Sequence, residues 1–241
     1  CFAALPLRAE EVVLGLSKDK VAITATFEGS EILIFGAVKR EEPIPDVPLD
    51  VVIAVAGPSE PVTVRRKDRR FGIWVNTDVV VLDSAPSFYA VATTGPLDKV
   101  MSDTEDLRHR VSIPRAIRAV GTGSDRPADF TQAVIRIRSN AGLYQVLENT
   151  VTLRGETLFN TSIALPANLV EGDYRARIFL TRGREVVSSY TAAIEVRKVG
   201  LERLIYTLAH ERPLIYGLLS LVIAIAAGWS ASAVFRYIRS N

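Results

Sequence analysis

The sequence predicts a mainly β protein with some α-helix: β-sandwich modules outside a membrane, helical segments in the middle, and one C-terminal transmembrane helix. Three observations predict this. Short segments of alternating apolar and polar residues, ending at turn residues, fill residues 10–95 and return in 144–198. Residues 96–143 change to helical spacing. Residues 214–235 carry no charge, and they are long enough to cross a bilayer, which takes about 20 residues.

The composition suits a globular protein with one membrane segment. Of the 241 residues, 48% are hydrophobic and 23% are charged. The net charge of +2 creates no overall field that would favour nucleic acid, so no nucleic-acid partner is expected. His109 and His210 lie far apart without ligand partners at zinc spacing. We therefore expect no metal and no cofactor.

The first nine residues are predicted to be the remnant of a signal peptide. The stretch "CFAALPLRA" is an apolar run that ends in a small residue before the acidic Glu10-Glu11. Cleavage after Ala9 would leave a mature chain that begins at Glu10. The alternative is that Cys1 carries the lipid of a lipoprotein.

Residues 10–95 are predicted to form the first β module. The stretch "VAITATF" places Val21, Ile23, Ala25 and Phe27 on one face. The prolines of "EEPIPDVP" cannot continue a strand ladder, so this stretch is a linker. "PVTVRRKDRRFGIWVN" predicts two strands around a charged turn, and "DVVVLDSAPSFYAVATT" predicts two more.

Residues 96–143 are predicted to be a helical connector and 144–198 a second β module. In the connector, a second helix has Asp129 or Thr131 near its start, after the loop "GTGSDRP". In the second module, Arg182-Gly183 marks a hairpin turn. Whether residues 10–198 form one or two β domains stays open. Apolar residues at helical spacing begin the connector: Leu97, Val100, Leu107 and Val111.

One short pattern makes the predicted sandwich immunoglobulin-like. In "LPANLVEGDY", Gly172 stands two residues before Tyr174. This spacing is typical of a tyrosine corner, in which the phenol hydroxyl binds the backbone a few residues upstream. The alternative is an ordinary surface tyrosine.

The C-terminal region is predicted to be a single-pass membrane anchor. Residues 199–213 are predicted to form an amphipathic juxtamembrane helix. Residues 214–235 are predicted to be the membrane span, with Tyr216 and Trp229 at the two interfaces, and residues 236–241 a cytoplasmic tail. The signal-like start places residues 10–212 outside the cytoplasm. Small residues recur every four positions along the span: Ser220, Ala224, Gly228 and Ser232. They predict packing against another transmembrane helix, from a permease or a second copy; alternatively, they reflect only the small residues common in spans.

A basic cluster is the best candidate for binding. Arginine binds oxyanions bidentately and a tryptophan can cover its guanidinium, so the region is a candidate for binding a small anion or a partner. Strand alternation puts Arg65 and Lys67 on one face and Arg66 on the other, so at most half the cluster converges. The alternative is a solvated basic turn that protects an edge strand. The candidate residues are Arg65, Arg66, Lys67, Arg69, Arg70, Trp74 and Asn76.

No motif predicts an enzyme. Ser87 lies outside any G-x-S-x-G pattern, and no Lys-Ser/Thr follows Gly121 and Gly123 to make a phosphate-binding loop. The expectation is a non-enzymatic protein without catalytic residues.

Five stretches carry a family resemblance that runs from Gly15 to Trp229: "VRRKDRRFGIWVN", "PSFYAVATTGPL", "AGLY", "LPANLVEGDY" and "GLERLIYTLAHERPLIYGLLSLVIAIAAGW". In these the chain resembles the alphaproteobacterial transmembrane protein family Alph_Pro_TM. The resemblance implies a secreted β-rich domain with one C-terminal span and no established enzymatic activity. It also implies gene neighbourhoods with sulfite-exporter-like permeases, and hence an accessory role in the transport of sulfur compounds or organic anions.

Two functions are therefore expected. The first is an accessory or interaction subunit of a transport system in the bacterial inner membrane, serving export of sulfite or organic anions. The alternative is a tethered periplasmic binding module that holds a small oxyanion through residues 65–70. A melting temperature that depends on an added ligand distinguishes the two functions, because it is expected for the binding module and not for the accessory subunit.

Overall fold

The structure is a computed structural model that describes residues 10–17, 20–23, 29–40, 47–119, 127–198 and 209–239. It divides into two compact units: residues 1–21 with 27–197, here called the β unit, and residues 22–26 with 198–241. Several predicted features lie outside the described residues. These are the signal-peptide remnant 1–9, most of the linker "EEPIPDVP", the loop residues 120–126, and most of the juxtamembrane helix, residues 199–208.

Strands predominate among the described residues, which confirms the prediction of a mainly β fold. The described strands are β1 (Glu10–Leu16), β2 (Lys20–Ile23), β3 (Ser30–Arg40), β4 (Leu49–Ala56), β5 (Ser59–Arg70), β6 (Ile73–Pro86), β7 (Tyr89–Thr93), β8 (Tyr144–Leu147), β9 (Thr152–Arg154), β10 (Leu158–Leu165), β11 (Gly172–Arg182) and β12 (Glu185–Lys198). The described helices are α1 (Leu97–Val100), α2 (Asp103–His109), α3 (Ile113–Ala116), α4 (Pro127–Asn140) and α5 (Pro213–Arg239).

The described strands form three sheets. One has the order β1-β3-β10-β9, the second β2-β12-β11-β4-β7-β8, and β5 pairs with β6 alone. The neighbours in the two larger sheets are mostly far apart in sequence: β3 pairs with β10, β4 with β11, and β7 runs parallel to β8. Strands from residues 10–95 and from 144–198 therefore share both large sheets.

Apolar alternation explains why these segments are strands with one buried face. In β3, Ile32, Ile34 and Val38 are buried, while Leu33 and Phe35 point outward. Successive side chains of a strand point to opposite faces, so this period of two buries every second residue. β4 differs because Val51 to Val55 are all buried, as expected for a central strand covered on both faces.

The helical connector packs on one face of the six-stranded sheet. Val52, Ala54 and Val91 of the sheet belong to a buried cluster with Val111 after α2 and Phe130 of α4. The prediction of helices between residues 96 and 143 is confirmed. The helical spacing predicted that Leu107 would be buried together with Val100 and Val111. Leu107 is instead exposed, whereas Val100 and Val111 are buried.

The predicted tyrosine-corner contact is present. The Tyr174 hydroxyl donates to the backbone carbonyl of Val170 at 2.8 Å, and the side chain is buried. The alternative of a surface tyrosine is therefore wrong. Burial raises the pKa of the Tyr174 hydroxyl, against the opposing effect of its hydrogen bonds.

Two strand predictions need correction. The stretches "IWVN" and "DVVVLDSAP" are one continuous strand, β6, rather than parts of two hairpins. The second predicted hairpin turn shifts by one residue, to Gly183-Arg184, where both residues have positive φ angles of 59° and 70°. Such angles match the two-residue turns whose twist fits a hairpin.

The apolar segment near the C-terminus is one uninterrupted helix, α5. Its 18-residue window Pro213–Ser230 has a mean hydropathy of 1.8, and none of it is buried against the rest of the protein. A soluble core helix would be mostly buried, so full exposure favours a membrane environment. The helix extends through Arg239, beyond the predicted end of the span at residue 235. The predicted tail is therefore helical at its start.

Candidate functional site

The predicted basic cluster lies on a long two-stranded hairpin, not in its turn. The five cations belong to β5, and the turn is Phe71-Gly72, with φ angles of 50° and 85°. Near the base of the hairpin, Val80 and Leu82 of β6 are buried in the core of the β unit. Beyond that point every residue from 65 to 74 is exposed. We call residues 65–76 the hairpin tip.

The register divides the cations between the two faces of the tip. Arg66 pairs with Asp78 and Lys67 with Asn76, so Thr77 is an extra residue that forms a β-bulge. One face carries Arg65, Lys67 and Arg69 together with Trp74 and Asn76, and the other carries Arg66, Asp68 and Arg70. The continuous strand β5 is consistent with the predicted alternation, by which only part of the cluster shares a face.

The tip exposes apolar surface together with its positive charge. Phe71 is fully exposed, and Trp74 and Ile73 are 68% and 64% exposed. Within the described part of the chain, no ion pair holds the side chains of Arg65, Lys67 or Arg69. A solvated turn that only protects a sheet edge needs charge but no exposed aromatic rings. The tip therefore has the composition of a contact surface.

A second group of arginines lies around a cavity of about 190 Å³, here called the arginine cavity. Its wall contains Arg110, Arg175, Arg177 and the Tyr89 ring, with small residues such as Ala56 between them, and no acidic residue belongs to it. In β11, Tyr174, Ala176 and Ile178 are buried on one face, which turns Arg175 and Arg177 to the other. Arg110 is the C-cap residue of α2 and directly follows its last helical residue, His109.

Arg177 is fixed in this wall by three neutral acceptors. Its guanidinium donates to the backbone carbonyl of His109 at 2.6 Å, to the Arg110 carbonyl at 3.0 Å and to the Tyr89 hydroxyl at 2.9 Å. The two carbonyls are at the C-terminal end of α2, where carbonyl groups have no partner within the helix. A cation there also interacts favourably with the helix dipole. Arg177 therefore ties α2 to the sheet.

Asp106 holds the loop that presents Arg110. One oxygen of its carboxylate accepts from the backbone N–H of Val111 at 3.0 Å and of Ser112 at 2.7 Å. The other accepts from Arg115 Nε at 2.8 Å. Arg110 itself adopts a left-handed conformation with φ of 50°, which ends α2. The buried carboxylate thus stabilises an otherwise unfavourable turn.

Tyr89 closes the inner side of the arginine cavity. Its hydroxyl lies 2.8 Å from the Val111 carbonyl, and the ring is buried. Burial raises the pKa of this hydroxyl, while the Arg177 guanidinium opposes the shift. At neutral pH the group is therefore a neutral hydrogen-bonding contact in the cavity wall.

Sequence reasoning did not find the arginine cavity. Arg110 and Arg177 are far apart in sequence, and no motif joins them. The available signal was local: in "YRARIF" the arginines alternate with Tyr174, Ala176 and Ile178. That pattern indicates an arginine-bearing face opposite a core face, but it does not show what the face meets.

The predicted small-residue stripe lies along α5. Ser220, Ala224, Gly228 and Ser232 are all exposed, and a side chain built at Gly228 meets no atom within 4 Å. The Ser220 hydroxyl donates to the carbonyl of Tyr216, one turn earlier, at 2.9 Å. Within the described residues of the chain this stripe is therefore uncovered, and its role in packing stays a prediction.

A family model described as "Putative transmembrane protein (Alph_Pro_TM)" matches residues 11–237. The chain belongs to the Alph_Pro_TM family. No curated protein matches it. The membership confirms the resemblance found in the sequence. Together with the exposed apolar helix α5, it supports membrane anchoring of this Alph_Pro_TM protein.

Proposed function

We propose that this Alph_Pro_TM protein is a non-enzymatic, single-pass protein of the bacterial inner membrane that serves as an accessory or interaction subunit of a membrane transport system. The observation that carries the proposal is the exposure of α5: none of its apolar window Pro213–Ser230 is buried. The family's gene neighbourhoods suggest export of sulfite or organic anions. In this proposal the β unit lies in the periplasm and the chain binds the lipid bilayer through α5.

We propose that the hairpin tip is the surface by which the β unit contacts its protein partner. Tryptophan and arginine are enriched among the residues that dominate binding energy at interfaces. Here Trp74 and Phe71 stand exposed among five cations. The complementary surface would be acidic, with an apolar pocket at its centre.

Replacing Gly228 by leucine should reduce cross-linking of the chain to its membrane partner about tenfold. The larger side chain would hold the two helices apart, and the loss of close packing in lipid costs about 1–2 kcal/mol. Chemical cross-linking in native membranes measures this. Ala226→Leu places the same side chain on another face of α5 and should leave the cross-linked species unchanged.

The same experiment tests the hairpin tip. The double substitution Phe71→Ser and Trp74→Ser removes exposed side chains without touching the core, so it should weaken the same cross-linked species. Equal cross-linking in wild type, Gly228→Leu and the hairpin variant would contradict a partner at either surface. Cross-linking to lipid alone would contradict the accessory role.

A second candidate function is a tethered binding module for a small oxyanion at residues 65–70. Its support is the shared face of Arg65, Lys67 and Arg69 beside Trp74 and Asn76. Against it stands the exposure of all these groups, since small-molecule sites are usually concave. An oxyanion that raises the melting temperature of the wild type but not of Arg69→Gln would favour this function over the accessory role.

We also propose that the two large sheets form an immunoglobulin-like sandwich. The buried Tyr174 and its hydroxyl contact with Val170 support this assignment. An experimental structure in which the two sheets do not pack face to face would overturn it.

A further inference from the structure

We propose that the arginine cavity is a binding site for a small oxyanion, such as a sulfate-like or carboxylate group. The proposal concerns Arg110, Arg175 and Arg177, and it is independent of both the accessory role and the cations of the hairpin tip. The chemistry follows from the side chains. Guanidinium groups stay charged at all physiological pH values and match the oxygens of carboxylates and tetrahedral oxyanions.

The arginines of the cavity have no carboxylate partner among the described residues of its wall. No acidic residue is part of the cavity wall. The two buried carboxylates of the neighbouring helix α2 already have partners: Asp106 binds Arg115 at 2.8 Å, and Glu105 binds Arg108 at 2.6 Å. Like charges gathered in a concave site repel one another, and protein walls of low dielectric focus their field. An anion between them would relieve that repulsion.

Of the three arginines, only Arg177 makes side-chain contacts that stabilise the fold of the described residues. Arg177 ties the end of α2 to the sheet through its three hydrogen bonds. Among the described residues, neither Arg110 nor Arg175 makes a side-chain hydrogen bond or ion pair. These two side chains keep all their donors for a ligand, while Arg177 supplies a guanidinium whose position is already fixed. A fixed donor loses little conformational entropy on binding.

The volume of the cavity and the small side chain of Ala56 in its wall leave room for a small anion. Its volume of about 190 Å³ exceeds by several times the roughly 30 Å³ that one water occupies in the liquid, so a sulfate-sized ion or a small organic acid fits. Ala56 pairs with Arg175 across the sheet and also with Tyr89. A small side chain at that position leaves the space open between the arginines and the phenol ring.

The test is thermal unfolding of the full-length chain in detergent, with sodium sulfate or sodium acetate added at constant ionic strength against sodium chloride. At least one of the two anions should raise the melting temperature to a plateau. Arg175→Gln and Arg110→Gln should each weaken the apparent affinity roughly tenfold, as expected for losing one charged hydrogen-bonding group. Both side chains are exposed, so the variants should fold.

Arg154→Gln is the matched control, because Arg154 is an exposed strand arginine that is not part of the cavity wall. It should bind like the wild type. Three results would overturn the proposal: no saturable shift with either anion, the same shift in Arg175→Gln as in Arg154→Gln, or loss of the shift in Arg69→Gln while Arg175→Gln retains it. The last result would move the anion site to the hairpin tip.

Discussion

A chain shortened to residues 10–198 should leave the membrane fraction completely and unfold in one cooperative transition without detergent. The β unit ends at Arg197, and its last strand already supplies the buried Ile194 and Val196. The exposed helix α5 contributes no buried side chain in the window that is long enough to span. Removing α5 therefore removes the apolar surface that requires lipid while the core stays intact.

Fractionation followed by thermal circular dichroism measures both parts of this prediction. A chain that ends at Ser188 is the control, because it lacks the last ten of the 14 residues of β12 and should aggregate. If the chain of residues 10–198 aggregates as well, residues 199–212 belong to the core and the boundary is wrong.

Asp106→Ala should lower the free energy of unfolding by about 3 kcal/mol. The substitution leaves the backbone N–H groups of Val111 and Ser112 and the guanidinium of Arg115 without their acceptor. Polar groups that lose their partner in a buried site cost far more than the net value of the bonds. The left-handed turn at Arg110 would also lose its support.

Urea unfolding of the full-length chain in mild detergent measures this loss. Asp103→Ala is the matched control on the same helix, because Asp103 is exposed in the first turn and contributes only its interaction with the helix dipole, about 0.5 kcal/mol. Equal destabilisation by the two substitutions would show that Asp106 does not organise this loop.

Local patterns were sufficient to predict several elements of the fold. Alternation in "EILIFGAV" marks β3 because a strand buries every second residue, and the uncharged run marks α5 because hydrocarbon excludes charge. The Tyr174 contact was predictable for the same reason, since it joins residues four apart.

Partners distant in sequence were not predictable. The pairing of β3 with β10 and of β4 with β11 depends on which apolar faces meet, and one strand's alternation does not specify its neighbour. The arginine cavity was not predictable for the same reason, because its wall combines residues from the end of α2 and from β11, which are distant in sequence. The continuity of β6 was not predictable either. The sequence pattern placed a strand end near Thr77, but in the structure Thr77 is the extra residue of a β-bulge and the strand continues past it.

The central proposal is that α5 anchors the β unit outside the cytoplasm, and single-cysteine labelling of the protein in its own cells tests it most directly. In a Cys1→Ser background, Arg154→Cys places a thiol on the exposed surface of the β unit, and Asn241→Cys places one after α5. A membrane-impermeant maleimide should label Arg154→Cys in intact spheroplasts and Asn241→Cys only after lysis. Labelling of Asn241→Cys in intact spheroplasts, with Arg154→Cys protected until lysis, would contradict the account.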